Sequence, residues 1–207
     1  MFNTSFGELK GVTAIDANNV WAVGYIYDDN SGTRPLAMRW NGSAWSIATL
    51  PGNLTHCCYL GETGPGLSAV SATSANDVWA VGNFHGKNLT LHFDGTKWSE
   101  VSSPNDLQKQ VNYLTGVAAV STNDVWAVGV SYTETLNSAG SPIYSEVTTS
   151  MHWNGSAWSL VSSPDPSSNH NFLRGVTKVN GNDVWAVGNT ADFYNVARTM
   201  IQHYVSP

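Results

Sequence analysis

One heptapeptide recurs four times in this chain, and it constrains the fold more than any other feature. Asn-Asn-Val-Trp-Ala-Val-Gly at 18–24 returns as Asn-Asp-Val-Trp-Ala-Val-Gly at 76–82, 123–129 and 182–188. Nine residues before each of these tryptophans stands a valine (Val12, Val70, Val117, Val176), and twelve before stands a leucine (Leu9, Leu67, Leu114, Leu173). A second motif follows each of the first three copies. It reads Trp-Asn-Gly-Ser-Ala-Trp-Ser at 40–46 and 153–159, and Phe-Asp-Gly-Thr-Lys-Trp-Ser at 93–99. The fourth copy reaches only His203-Tyr204 before the sequence stops. The spacing of successive heptapeptide tryptophans runs from 47 to 59 residues, so each repeat is one supersecondary unit of an array.

All nine tryptophans fall in three columns of this repeat: Trp21, Trp79, Trp126 and Trp185; Trp40 and Trp153; and Trp45, Trp98 and Trp158. Tryptophans at repeating positions are expected to pack between units. Each unit reads as four strands, exemplified by 114–120, 124–128, a strand ending at Trp153, and 158–161. Asn-Gly or Asp-Gly between the third and fourth strands is expected to supply the positive φ angles of a tight hairpin. Ser-Thr-Asn-Asp between the first two makes a polar turn. The second strand is apolar on both faces, as in a sheet covered on both sides, and no stretch has a helical apolar period. The expectation is an all-β chain: a single β-propeller domain over 1–207 with four four-stranded antiparallel blades, at about 9–51, 67–104, 114–164 and 173–207. A pair of immunoglobulin-like sandwiches is the alternative fold, but it does not predict four equal units.

The repeats resemble the tryptophan-rich Asn-Asp-Val-Trp-Ala-Val-Gly and Trp-Asn-Gly-Ser-Ala-Trp-Ser repeats of exported bacterial proteins, which are described as kelch-like propellers. They are also similar to the blades of tachylectin-type lectins. The resemblance covers nearly the whole chain and implies a propeller fold, carbohydrate binding, adhesion and an extracellular or cell-surface location. It carries over no enzymatic activity, because the shared residues are those that build blades. The kelch double glycine and the WD40 Trp-Asp signature are missing, and 93–98 is one residue shorter than a sialidase Asp-box.

Charge narrows the partners. Charged residues are 12% of the chain, net charge is −6, and the nine Lys and Arg are scattered singly, so no basic patch suits a nucleic-acid backbone. No apolar run is long enough to insert in a membrane as a helix. Apolar residues reach 42%, which argues against disorder.

Variable segments on a constant scaffold are where binding sites concentrate. The segments 25–36, 51–66, 103–113, 130–147, 163–172 and 189–198 vary between repeats, and they are expected to share one face. Their aromatics Tyr25, Tyr27, Tyr59, Tyr132, Tyr144 and Tyr194, with Phe84 from the variable 82–93 interval, are the candidate contacts for a glycan or another surface ligand. No catalytic constellation is expected. The acids Asp77, Asp124 and Asp183 repeat at turns and read as structural, while Asp28, Asp29, Glu62, Glu134, Glu146 and Asp192 leave room for a carboxylate pair. His92, His152 and His203 share a column with Arg39, and positions on different blades are too far apart to chelate one metal. Asp28-Asp29-Asn30-Ser31-Gly32 reads as a polar turn, and no metal or cofactor is expected. The five sequons, at Asn3, Asn41, Asn53, Asn88 and Asn154, read mostly as turn chemistry. Cys57 and Cys58 are adjacent, and a vicinal disulfide stiffening 51–66 is one option for them. Met1 to Phe6 is expected to complete the fourth blade, or, by exchange with a second copy, to build a homo-oligomer. A self-assembling structural subunit is the rival function, and a glycoside hydrolase a more distant one.

Overall fold

A computed structural model describes residues 6–28, 32–54, 66–167, 170–180, 183–191 and 196–205. Apart from one 3-10 turn at Gly52–Leu54, the regular structure among them is β-strand. The chain divides into two compact units, Met1–Ser103 and Pro104–Pro207, each holding two antiparallel sheets.

In the first unit, β1 (Phe6–Asp16), β2 (Asn19–Asp28), β3 (Gly32–Trp40) and β4 (Trp45–Ile47) form one sheet in chain order. β5 (Gly66–Ser74), β6 (Asp77–Phe84), β7 (Lys87–Phe93) and β8 (Trp98–Glu100) form the other. In the second unit, β9 (Val111–Ser121), β10 (Asp124–Leu136), β11 (Pro142–Trp153) and β12 (Trp158–Leu160) make a four-stranded sheet. β13 (His170–Asn180), β14 (Asp183–Ala191) and β15 (Ala197–Val205) make a three-stranded one. All-β architecture and four antiparallel sheets, one per repeat, therefore match the sequence reading.

The heptapeptide is the second strand of every sheet. Val-Trp-Ala-Val suits this place because β-branched and aromatic side chains pack well on a pleated surface. Its tryptophan carries the packing from sheet to sheet within a unit. Trp21 meets Phe93 at a ring separation of 4.9 Å and Trp98 edge-on at 5.1 Å. In the second unit Trp126 meets Tyr204 at 5.5 Å, and Val128, Leu173, Val184, Ala186 and Met200 complete that core. Trp185 is exposed, because no other sheet of its unit covers that face of β14, and Trp45 at the sheet edge is exposed as well. Burial thus holds for most of the tryptophans but not for all.

The glycine closing each heptapeptide has a steric reason. A Cβ on Gly129 would lie 2.0 Å from the Tyr113 carbonyl oxygen, at the point where the β9–β10 register shifts. The bulge brings one backbone against the other and leaves no room for a side chain.

Several expectations change in detail. The hairpin between third and fourth strands is a four-residue loop, closed by the Trp40–Trp45 and Trp153–Trp158 pairs. Only its glycine takes positive φ, near 95° in each copy, and the Asn or Asp before it acts through its side chain. Asn41 Oδ1 accepts from the Ser43 and Ala44 amides and the Ser43 hydroxyl, and Asn154 and Asp94 repeat the pattern. Three donors on that oxygen hold Asp94's carboxyl down to about 2. Among the described residues, the two-residue turn with both residues at positive φ is His85-Gly86, between β6 and β7. Strands also run far into the segments read as loops: β10 extends to Leu136 and β11 begins at Pro142, because Val, Thr and Tyr prefer the extended chain. Phe6 belongs to β1, opposite Tyr27, and not to a separate terminal strand. Residues 1–5 lie outside the described residues, and the fourth sheet has three strands among them.

Trp126 is 4% exposed. Replacing it with alanine should destabilise the second unit by about 3–5 kcal/mol, read as a lowered denaturant midpoint. An unchanged midpoint would contradict its role as the inter-sheet plug.

Candidate functional site

Of the predicted aromatics among the described residues, Tyr25, Tyr27 and Phe84 belong to the first unit and Tyr132 and Tyr144 to the second. Tyr132 and Tyr144 lie on the β10–β11 hairpin, with rings edge-on at 5.9 Å. The register places Glu134 and Glu146 on the same hairpin face, Glu146 opposite Tyr132 and Glu134 opposite Tyr144. Glu146 is held by His170 Nδ1 at 3.2 Å. Tyr25 and Tyr27 sit on β2, where Phe6 stacks on Tyr27 at 4.8 Å and the Lys10 ammonium lies 5.1 Å from the Tyr25 ring centre. Phe84 packs against the first unit's core. Tyr59, Tyr194, Cys57 and Cys58 lie outside the described residues, as do Glu62, Asp192 and Asp29.

The His and Asp columns resolve into one repeated contact. Each histidine lies across the ladder from its tryptophan, in the pairs Trp79–His92, Trp126–His152 and Trp185–His203. Their rings are 4.5, 4.7 and 4.1 Å apart. Each histidine Nε2 in turn donates to the aspartate that opens the same strand. The distances are 2.8 Å to Asp77, 2.9 Å to Asp124 and 2.6 Å to Asp183. The acidic column is therefore engaged within its own sheet. Among the described residues no three His, Cys, Asp or Glu side chains cluster as a metal site.

Two positions depart from this column. In the second unit Lys178 stands where the other repeats have Ala14, Ala72 and Ala119, and its ammonium pairs with Asp124. Burial raises the Asp124 carboxyl, but hydrogen bonds from Lys178 and His152 and their charges outweigh it and hold it below the ordinary value of 3.8. Trp126 Nε1 donates to the same carboxylate at 3.2 Å.

The other departure is in the first unit. Arg39 replaces the histidine and Asn19 the aspartate. Arg39 Nη2 donates to Asn19 Oδ1 at 2.9 Å, and the guanidinium lies over the Trp21 and Phe93 rings at 5.5 and 5.8 Å. No carboxylate pairs with it among the described residues. Arg39 and Trp21 border a cleft of about 380 Å³ between the unit's two sheets. Residues 48–51 and Ser46 form one wall, and Phe93, Trp98 and the turn 95–97 form the other. Trp21 and Trp98 are 1% and 5% exposed, and their buried indole N–H groups have no hydrogen-bond partner among the described residues. Arg39 was visible in the histidine column of the sequence. The paired change at Asn19, one line of the same alignment, is the signal that would have marked the cleft.

No protein-family model matches the chain, and no curated protein matches it. Among solved structures it is similar to YCF48 bound to D1 peptide, at 13% identity and a TM-score of 0.38 over 99% of this chain and 69% of that one. It is also similar to the extracellular domain of the putative hybrid two-component system BT4673 from B. thetaiotaomicron, at 8% identity and a TM-score of 0.37 over 86% of this chain. The chain spans 26% of that domain's length.

Removing Lys178's charge tests the second unit's ion pair. A fully buried pair that loses one partner costs about 3–5 kcal/mol. Asp124 is 24% exposed, so Lys178→Met should cost about 1–3 kcal/mol at neutral pH. The lowered Asp124 carboxyl adds stability that is complete above its unfolded value and is lost as pH falls through its folded one. The Lys178→Met loss should therefore shrink as the pH of the denaturation series is taken below 3.8. A loss independent of pH across that window would contradict the ion-pair account.

Proposed function

We propose that this chain is a binding module with no reaction of its own, built on propeller-type blades and recognising glycans or other surface ligands outside the cell. The observation that carries this reading is the use of its ionisable groups. His92, His152 and His203 are engaged by aspartates of their own sheets, and Glu146 by His170. What is left open is a cleft with a permanent cation and a mixed polar and apolar wall, the chemistry of recognition and not of bond cleavage. The aromatic hairpin bearing Tyr132 and Tyr144 offers a second contact surface, and the reading of the sheets as blades rests on the repeat. Among the described residues no helix is long and apolar enough to cross a membrane.

A self-assembling surface subunit is the second reading. Exposed apolar side chains support it: Leu9 and Val12 on β1 in the first unit, and Val187 and Ile201 on β14 and β15 in the second. Light scattering across a hundred-fold range of concentration separates the two readings. A binding module keeps one mass and retains glycans on an array, whereas a subunit grows in mass. Turnover of a chromogenic glycoside panel, abolished by Glu134→Gln, would overturn both in favour of a hydrolase.

A further inference from the structure

The repeat provides an internal control for the Arg39 cleft. In the other three sheets a carboxylate stands where Asn19 stands in the first, and it bonds the residue in the Arg39 column. The first sheet has lost the carboxylate and made the cation permanent. Both changes act in one direction, so the cleft has an excess of donors and lacks one anion. Of the guanidinium's five N–H groups, the contact with Asn19 uses one. Lys97 on the opposite wall adds a second cation, and Asp94 beside it already accepts three hydrogen bonds within its own turn.

We infer that this cleft binds a carboxylate-bearing sugar, with the ligand's carboxylate on the Arg39 N–H groups that Asn19 leaves free, supplying the negative charge the column's aspartate gives the other sheets. A sugar acid fits better than an acidic side chain because the walls alternate hydroxyls with small apolar groups. Ser46, Thr49 and Thr96 offer the hydroxyls, and Ala48, Leu50 and Pro51 the apolar surface. A pyranose ring likewise presents hydroxyl edges and C–H faces. The cleft's volume lies in the range that encloses small ligands. This identification of the sugar rests on the glycan-binding reading above; the carboxylate requirement rests on the column.

The test is isothermal titration with trigalacturonate, with its methyl ester and with hexaglutamate, against the wild-type chain and two variants. Arg39→Met removes the cation. The double change N19D/R39H installs the histidine and aspartate of the other three sheets, so it should fold and melt at or above the wild-type temperature while closing the site. Trigalacturonate should bind the wild type, and esterification or either variant should weaken it about 10- to 100-fold, the range of a charge-assisted hydrogen bond. Equal binding of acid and ester, or full affinity in a folded N19D/R39H protein, would overturn the inference and leave glycan binding standing. Binding of hexaglutamate alone, lost in the variants, would overturn the sugar and the glycan reading together. Absence of binding in every arm would overturn the site itself.

Discussion

Each sheet depends on seating one indole between strands and giving its ring a partner of the right shape. A tryptophan is too large to be covered by its own strand, so its ring must be sandwiched. In this chain the sandwich has one layer inside the sheet, from the cross-strand histidine or arginine, and, for Trp21 and Trp126, another from the neighbouring sheet of the same unit. The imidazole can lie flat against the indole only if its orientation is fixed, and the aspartate at the head of the strand fixes it by accepting its Nε2 proton. Ring, imidazole and carboxylate therefore form a single device, and the turn geometry follows from it. The aspartate must sit just after a short polar turn, and the neighbouring asparagine packs against the glycine of the next hairpin. A Cβ on Gly155 would meet Asn123 Oδ1 at 2.5 Å.

This arrangement explains how much of the fold could be read from residues alone. The columns were visible because the device needs the same residue types at the same offsets in every copy, and periodicity then located the strands, the turns and most of the core. What the columns could not show was how far the strands continue beyond them. Strand length in β10 and β11 is set by a run of Thr, Val and Tyr outside the repeating positions, and propensity there had to compete with a prior that variable segments are loops. The turn chemistry was half legible. The glycine's positive φ follows from its lack of a Cβ, but the role of Asn41 as a three-fold acceptor needs the backbone in place.

The candidate site was legible in a different way. Loop aromatics were chosen because exposed rings suit sugars, yet Phe84 turned inward and Tyr27 is covered by Phe6. An aromatic outside the repeating columns can as well cap its own strand as meet a ligand, and nothing in its position distinguishes the two. Departures inside the columns are more informative, because the other copies show what a purely structural residue would be.

Lys178 and Arg39 illustrate why such a departure must be weighed by what it leaves behind. Each adds a permanent cation at the device, Lys178 on its carboxylate and Arg39 in place of its histidine, in a chain with few cations. Lys178 is 2% exposed and delivers its charge to Asp124, so its substitution is closed: cation and anion meet, and the desolvation of one is offset by the other. Arg39 arrives together with the loss of the aspartate, so its substitution is open. A purely structural drift would be expected to keep the anion when it gained a cation, as the second unit does. In the first unit the two changes remove the anion and add the charge at the same place, beside a cleft. Coordinated changes that worsen the internal balance of a sheet are explained more simply by something outside the chain that restores it.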